Sequence, residues 1–335
     1  MTLRRLGQGA LAAVAALALI PAPAEAARAY TAPAAEQRWS VLPAEQPKLG
    51  SRVRFDYKAN PGQVISDRVV ISNLTSAPMV FRVYAADAYT SLEGAFTVPP
   101  GAELAAHAGS WVSLPPKNYK VLPGHPLTLP FVLRVPTNAT PGDQAASIVA
   151  SVTEKQTNAD GQLVNVDRRV GTRIYLRVNG PIKPELSVSV DSTHYRQPAL
   201  LLGGGKLGVT YRIRNTGNSR LLNGSGRVEV TGPLGVDLGT LKTGELPELL
   251  PGSEMVKTVQ VDGVWPVGAL SATTRINAIT AEGQLPALNN SADLWATPWF
   301  LVVLILAVAL VFGVRYGLRL RRRRTVAPPA AAEPS

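Results

Sequence analysis

The chain of 335 residues contains no cysteine. Thiolate nucleophiles and cysteine-ligated metals are therefore excluded. A domain without disulfides must stand on its hydrophobic core, so whatever folds here has to be of ordinary domain size. Histidine is nearly as scarce, with only His107, His125 and His194 present. His125 lies in the turn Pro123-Gly124-His125-Pro126, and His107 in a loop between Gly101 and Gly109. No Asp or Ser accompanies either at a catalytic spacing, and no H-E-x-x-H occurs. Both read as surface loop residues.

Phosphate and calcium loops are missing too. Gly203-Gly204-Gly205-Lys206 lacks the glycine spacing, the Ser/Thr after the lysine and the following helix of a phosphate loop, so it reads as a turn. Asn158-Ala159-Asp160-Gly161 starts like a calcium loop, but the later ligands do not follow, and a hairpin turn is the better reading. With no acid–base constellation, no metal set and no cofactor motif, a non-enzymatic protein without cofactors is expected.

Between the two ends of the chain no helical period survives. The text is instead β throughout. Leu127, Leu129, Phe131, Leu133 and Val135 share one face, with Thr128, Pro130 and Arg134 on the other. Val170, Thr172, Ile174, Leu176 and Val178 alternate with Arg169, Arg173, Tyr175, Arg177 and Asn179. Leu186, Val188 and Val190 alternate with serines, and Val209, Tyr211 and Ile213 with Thr210, Arg212 and Arg214. A two-residue period with one apolar face predicts half-buried antiparallel strands. Turn pairs such as Pro61-Gly62, Glu93-Gly94, Pro123-Gly124 and Pro141-Gly142 recur at the spacing of a β-sandwich. The predicted fold class is all-β: two tandem immunoglobulin-like β-sandwich domains plus one C-terminal transmembrane helix. Residues 48–180 form the first domain and 181–293 the second, divided where Asn179-Gly180-Pro181 ends a long strand.

The ends carry sorting signals. Arg4 and Arg5 precede an apolar run, Leu11 to Ile20, which is too short to span a bilayer, and Ala24-Glu25-Ala26 fits a cleavage site; residues 1–26 read as a signal peptide. Residues 27–47 are an Ala/Pro-rich, loose leader. Residues 294–318 read as a transmembrane helix with flanks, close to the roughly 20 residues a span requires. Trp295 and Trp299 mark its outer edge and Tyr316 its inner edge. The block Arg319, Arg321, Arg322, Arg323 and Arg324 then anchors a basic, disordered cytoplasmic tail over 319–335. The expected partner at this end is the lipid bilayer, with the N-terminal domains outside.

The same ends explain the charge. The chain has 34 basic and 23 acidic residues, net +11. Eight arginines (Arg4, Arg5, Arg315 and the five just named) and two acids (Glu25, Glu333) lie in the terminal signals, so the segment between them has 26 basic and 21 acidic residues. A net charge of +5 gives no ground for a nucleic-acid partner.

Residues 55–178 also carry a longer pattern: Phe55-Asp56-Tyr57, Pro61-Gly62-Gln63, Asn73, Phe81-Arg82-Val83-Tyr84-Ala85-Ala86-Asp87-Ala88, Gly94, Phe96, Trp111-Val112, Pro123-Gly124, Phe131 to Val135-Pro136 and Pro141-Gly142-Asp143. In order and spacing this resembles the DUF916 family, the peptidoglycan-binding domain of WxL-interacting proteins on Gram-positive surfaces. The resemblance implies an Ig-like domain that contacts the wall polymer, a second Ig-like domain for a protein partner, and a membrane anchor. The second domain matches less well; Tyr211 to Asn218 and Leu249-Leu250-Pro251-Gly252 look like a generic bacterial surface module.

One surface feature suggests a ligand site. Arg169, Arg173, Tyr175 and Arg177 point to one side of a single strand, with Arg173 and Arg177 about 13 Å apart. A cationic stripe with an aromatic suits peptidoglycan or an anionic wall polymer, through stem-peptide carboxylates; an ordinary solvated strand face is the alternative. Trp111 either stacks on a sugar or fills the core. The expected function is therefore a membrane-anchored, non-enzymatic envelope protein binding the wall through its first domain. The alternative is a scaffold or adhesion module holding another exported surface protein. Two domains in series reach on the order of 75 Å, which predicts work at the membrane–cell wall interface.

Overall fold

A computed structural model describes residues 38–45, 51–100, 103–115, 118–158, 161–198 and 202–324. The expected signal peptide, most of the leader, the tail beyond Arg324, and Ala159-Asp160 of the expected hairpin turn lie outside the described residues.

The strands in chain order are β1 (Trp39–Pro43), β2 (Phe55–Ala59), β3 (Val64–Asn73), β4 (Met79–Asp87), β5 (Tyr89–Thr90), β6 (Phe96–Thr97), β7 (Val112–Ser113), β8 (Asn118–Val121), β9 (Leu127–Arg134), β10 (Gly142–Thr157) and β11 (Leu163–Val178). They build two sheets, ordered β1-β3-β9-β7 and β2-β11-β10-β4-β8, with β5–β6 as a separate hairpin. All pairs are antiparallel except β2 with β11. The alternation in β9 faces Leu129, Phe131 and Leu133 inward, where they meet Phe55, Phe81, Ile148, Ile174 and Leu176 of the opposite sheet. Phe55 and Phe131 touch edge to face with centroids 5.1 Å apart. Each such fully buried side chain contributes roughly 1.5–3 kcal/mol, which is how a disulfide-free sandwich stands.

A second sandwich follows: β12 (Leu186–Arg196), β13 (Gly205–Asn215), β14 (Leu221–Thr231), β15 (Asp237–Leu246), β16 (Glu254–Val264), β17 (Gly268–Thr280), β18 (Gly283–Gln284) and β19 (Leu288–Ala296). Sheet β12-β13-β16 faces sheet β15-β14-β17, which β19 extends. Leu207, Val209, Tyr211 and Ile213 from β13 pack on Val228, Val230, Ala272 and Ile276. The helix α1 (Trp299–Arg324) closes the described chain.

The structure departs from the sequence reading in three places. Residues 39–43, expected in the loose leader, form β1 on the edge of the first sandwich: Trp39 and Val41 are core residues, and the Trp39 indole Nε1 donates to the Ala150 carbonyl at 3.2 Å. Apolar residues at positions 39 and 41 supply an inward face that an Ala/Pro-rich composition hides. The last strand of the second sandwich runs to Ala296, beyond residue 293. And the basic segment 319–324 continues the helix instead of being disordered; arginine is a good helix former, and cations at a helix C-terminus complement the macrodipole.

Candidate functional site at the junction of the sandwiches

The predicted stripe is where the two sandwiches meet. In the β10–β11 ladder Arg169, Arg173, Tyr175 and Arg177 stand opposite Ser151, Ser147, Ala145 and Asp143, so all four share a face as the alternation required. That face does not lie open. Tyr175 is 5% exposed, although it points away from the core of its own domain. Its hydroxyl donates to Glu248 Oε2 at 2.5 Å, and the Arg220 guanidinium lies over its ring at 4.1 Å. Glu248 and Arg220 both belong to the second sandwich and pair with each other at 3.1 Å.

Arg177 is more tightly held. Its Nε and Nη2 form a fork on Asp143, at 2.7 and 2.6 Å, while Nη1 donates to Glu282. Ser219 donates to the other Glu282 oxygen. Asp143 in turn accepts from the Arg220 backbone N–H at 2.8 Å, and its own N–H donates to the Asn218 carbonyl at 2.7 Å. The Asn218 side-chain amide donates to the carbonyls of Pro141 and Pro181. The backbone of Gly142 makes this approach possible: at φ +120, a Cβ there would lie 2.3 Å from the Asn218 oxygen.

A hairpin completes the seam. Thr90 of β5 donates from its hydroxyl to the Glu248 carbonyl at 3.2 Å and accepts from the Leu250 N–H at 3.1 Å. Its backbone N–H reaches Ser253 Oγ at 3.0 Å, and the Leu92 carbonyl accepts from the Val256 N–H at the start of β16. The first domain thus covers part of the backbone edge of the second.

Electrostatics follow from these partners. Burial, reinforced by the hydrogen bond to Glu248, pushes the Tyr175 phenol up to about 12. Hydrogen bonding to Asp143 raises the Arg177 guanidinium further above its already high value. Burial opposes ionisation of Glu282, but hydrogen bonds from Ser219 and Arg177 overcome it and hold the carboxyl below the usual range.

The remaining candidates are dispersed. Arg173 is half exposed, stands over Phe96 at 4.6 Å, and only approaches Glu248 at 3.8 Å. Arg169 donates to the Pro99 carbonyl at 2.8 Å. Trp111 ends a 3₁₀ turn (Ala108–Trp111) and packs half-buried against the first core. That turn is hung on Asp87, whose carboxylate accepts from the N–H groups of Ala106, His107 and Gly109. Trp299 opens α1, and Arg319 lies twenty residues on, a rise of about 30 Å, the thickness of a bilayer's hydrocarbon core. Arg321, Arg322, Arg323 and Arg324 follow in the last turn. Within Trp299–Arg321 the mean hydropathy of the most apolar stretch is 2.5, and none of the other described residues covers it. It is long and apolar enough to cross a membrane.

Sequence reasoning missed two features. A cleft of about 470 Å³ opens at the seam, lined by Asp56, Tyr57, Lys58, Asp143, Tyr175, Arg177, Arg220 and Ala281. Lys58 contributes an exposed ammonium there. The second is the outer part of the β10–β11 hairpin. β4 pairs with β10 only over Ala146–Ser151, and β2 with β11 only over Ile174–Val178. The six rungs from Val152–Arg168 to Thr157–Leu163 therefore form a two-stranded ribbon whose outer edges carry no paired strand among the described residues. Among the described residues no group of His, Cys, Asp or Glu could hold a metal ion.

No protein-family model matches the chain, and no curated protein sequence does. Solved structures give loose likenesses. The class 5 fimbriae chaperone CfaA is 10% identical with a TM-score of 0.34, covering 78% of this chain and 100% of its own. The Salmonella enterica SafB chaperone complex with the SafA pilin gives 13% identity and a TM-score of 0.32, over 76% of this chain and 97% of that one. The Pseudomonas aeruginosa CupB2 chaperone gives 14% and 0.29, over 73% and 97%. The chain is a pair of Ig-like β-sandwiches followed by an apolar helix.

Proposed function

We propose that this is a non-catalytic, membrane-anchored envelope protein, its sandwiches outside the cell and its arginine-rich helix end in the cytoplasm, which holds another exported protein near the bilayer. The observation that carries this reading is the β10–β11 ribbon. An isolated two-stranded ribbon is marginal in water, and open strand edges are templates for an added strand. Leu163 at its end is 74% exposed, an apolar side chain left open to solvent among the described residues. The stripe first considered for ligand binding is largely spent on the seam, which favours a protein partner over the polymer at those positions.

A photo-crosslinking residue at Leu163 in the full chain tests this in cells of the host. A discrete adduct with one exported protein, lost when proline replaces Val166 to break the ribbon edge, is the expected result. Adducts unchanged by the proline, or none, overturn it.

A second reading, that the first domain binds peptidoglycan or another acidic wall polymer, is supported by the seam cleft, where Lys58 stands beside Tyr57 and Tyr175. Its test is co-sedimentation of the detergent-solubilised chain with purified sacculi. Binding that weakens with salt and with Lys58→Glu supports it; sedimentation equal to that of an unrelated Ig-like protein removes it.

A further inference from the structure

The second sandwich has one end whose side chains do not suit water. Register places four connections there. Arg196 at the end of β12 faces Lys206 in β13, and Gly205 faces Val264 at the end of β16. Residues 265–267 lead into Gly268, which faces Ala296, the last residue of β19. Thr231 closes β14 opposite Ser271 of β17 and Asp237 of β15. Residues 197–198 and 202–204, the turns 232–236 and 265–267 and the exit to α1 therefore share one end.

That exit is short. Only Thr297 and Pro298 separate β19 from α1, a reach of about 7 Å. The linker is also tied down, since Gln197 Nε2 donates to the Thr297 carbonyl at 3.0 Å, joining the two sheets at the same point. If α1 crosses a bilayer, this end of the sandwich stands against the headgroups.

The side chains there are Leu202, Leu234, Val236, Trp265, Val267 and Trp295, all exposed. Trp295 is 70% and Trp265 53% accessible, and Leu234 is fully so. Leu234 also sits at φ 58, ψ 18, the left-handed region that costs an aliphatic residue on the order of 1 kcal/mol. Backbone hydrogen bonds close the turn, with Gly232 N–H donating to the Val236 carbonyl at 2.8 Å, but the fully exposed Leu234 side chain gains no packing among the described residues to offset that cost. Tryptophans with aliphatic neighbours are the composition that settles at a bilayer interface, rings among headgroups and aliphatic groups at the acyl boundary.

We propose that this end of the second sandwich is a lipid-docking surface: its loops enter the headgroup layer of the leaflet from which α1 departs. The helix tethers the domain, and the loops fix its orientation, so the first sandwich is carried at a set angle from the membrane. The inference rests on α1 spanning the bilayer.

The absence of cysteine makes the test direct. Leu234→Cys, Val236→Cys, Leu163→Cys and Val308→Cys, each in the full chain, are labelled with an environment-sensitive fluorophore and placed one chain per phosphatidylcholine nanodisc. Labels at 234 and 236 should shift to the blue, resist aqueous iodide, and be quenched by lipids brominated near the headgroup. The label at 163, equally apolar but on the distant ribbon, should remain open to iodide and untouched by bromolipid. The label at 308, mid-helix, should be quenched by deeply brominated lipid. If 234 and 236 behave like 163 while 308 is deep, docking is overturned and the anchor stands. If 308 is not quenched, the anchor falls and docking with it. Protection at 234 that occurs only in discs holding two chains means a second copy covers the surface, and also overturns the proposal.

Discussion

Arg177 and Glu282 lie on different sandwiches, and one guanidinium nitrogen of Arg177 donates to the Glu282 carboxylate while the other two nitrogens fork onto Asp143. The fork fixes where the guanidinium points, and the fixed guanidinium presents a donor to the second domain. The side chains of Arg177 and Asp143 are only 20% and 9% exposed, so solvent screens this pair less than a surface ion pair. The seam is thus a directional lock, and a substitution in it is expected to uncouple the domains before it unfolds either.

Arg177→Ala should destabilise the chain by about 2 kcal/mol, because Asp143 and Glu282 would be left partly buried without the cation they share. Arg177→Lys should recover less than half of that, since an ammonium cannot span both carboxylates. Denaturant midpoints followed by circular dichroism in detergent check the magnitude. Limited proteolysis checks the mechanism: cleavage should rise within residues 179–185, the connection between the sandwiches.

The seam also predicts a stability optimum bounded by two groups. Glu282 has its carboxyl below the ordinary value of 4.5, so its contribution is present above that pH and is lost as acid takes the pH down through the folded value. Tyr175 titrates at about 12 against an ordinary 10, so its contribution is full below pH 10 and disappears as pH rises towards 12. Melting temperature should therefore fall on both sides. Glu282→Gln should flatten the acid limb between pH 5 and 3, and Tyr175→Phe the alkaline limb. Unchanged limbs in both variants would show that the seam does not form in solution.

How far the sequence could be read depends on what a two-residue period encodes. In β9 and β13 the alternation names the inward side chains, Leu129, Phe131 and Leu133 in one and Val209, Tyr211 and Ile213 in the other, and all are buried. The period does not say what the opposite face meets. Tyr175 and Arg177 had the pattern of a solvated face because their partners, Glu248 and Glu282, lie 73 and 105 residues away in sequence. A pairing of that range leaves no local trace. Trp39 was hidden differently, by alanines and prolines around a strand only five residues long. The apolar helix was the most legible element, since its signal is composition and length alone.

Trp39 gives the third prediction. Its ring packs against Phe81 with centroids 5.5 Å apart, and its strand pairs with β3 from Asn73 to Val69. Trp39→Ala should cost about 3–5 kcal/mol, the range for removing a large buried ring. A chain starting at residue 48 should lose the cooperative unfolding of the first sandwich, whereas Leu163→Ala on the exposed ribbon should change the midpoint by less than about 0.5 kcal/mol. Calorimetry on the three variants separates a structural strand from a dispensable leader.

Gly142 supplies the last. It opens β10 in the left-handed half of the map, and its bare Cα lets the Asn218 carbonyl come close enough to accept from the Asp143 N–H at 2.7 Å. Gly142→Ala adds conformational strain of order 1–3 kcal/mol and a Cβ that collides with the Asn218 backbone, which cannot swing aside as a flexible side chain would. The relief available is for the second sandwich to back away, which also draws Glu282 from Arg177. Gly142→Ala and Arg177→Ala should then be markedly non-additive, because the first has already removed most of what the second deletes. Additive costs would mean that the glycine strain is absorbed within the first sandwich and that the seam holds without it.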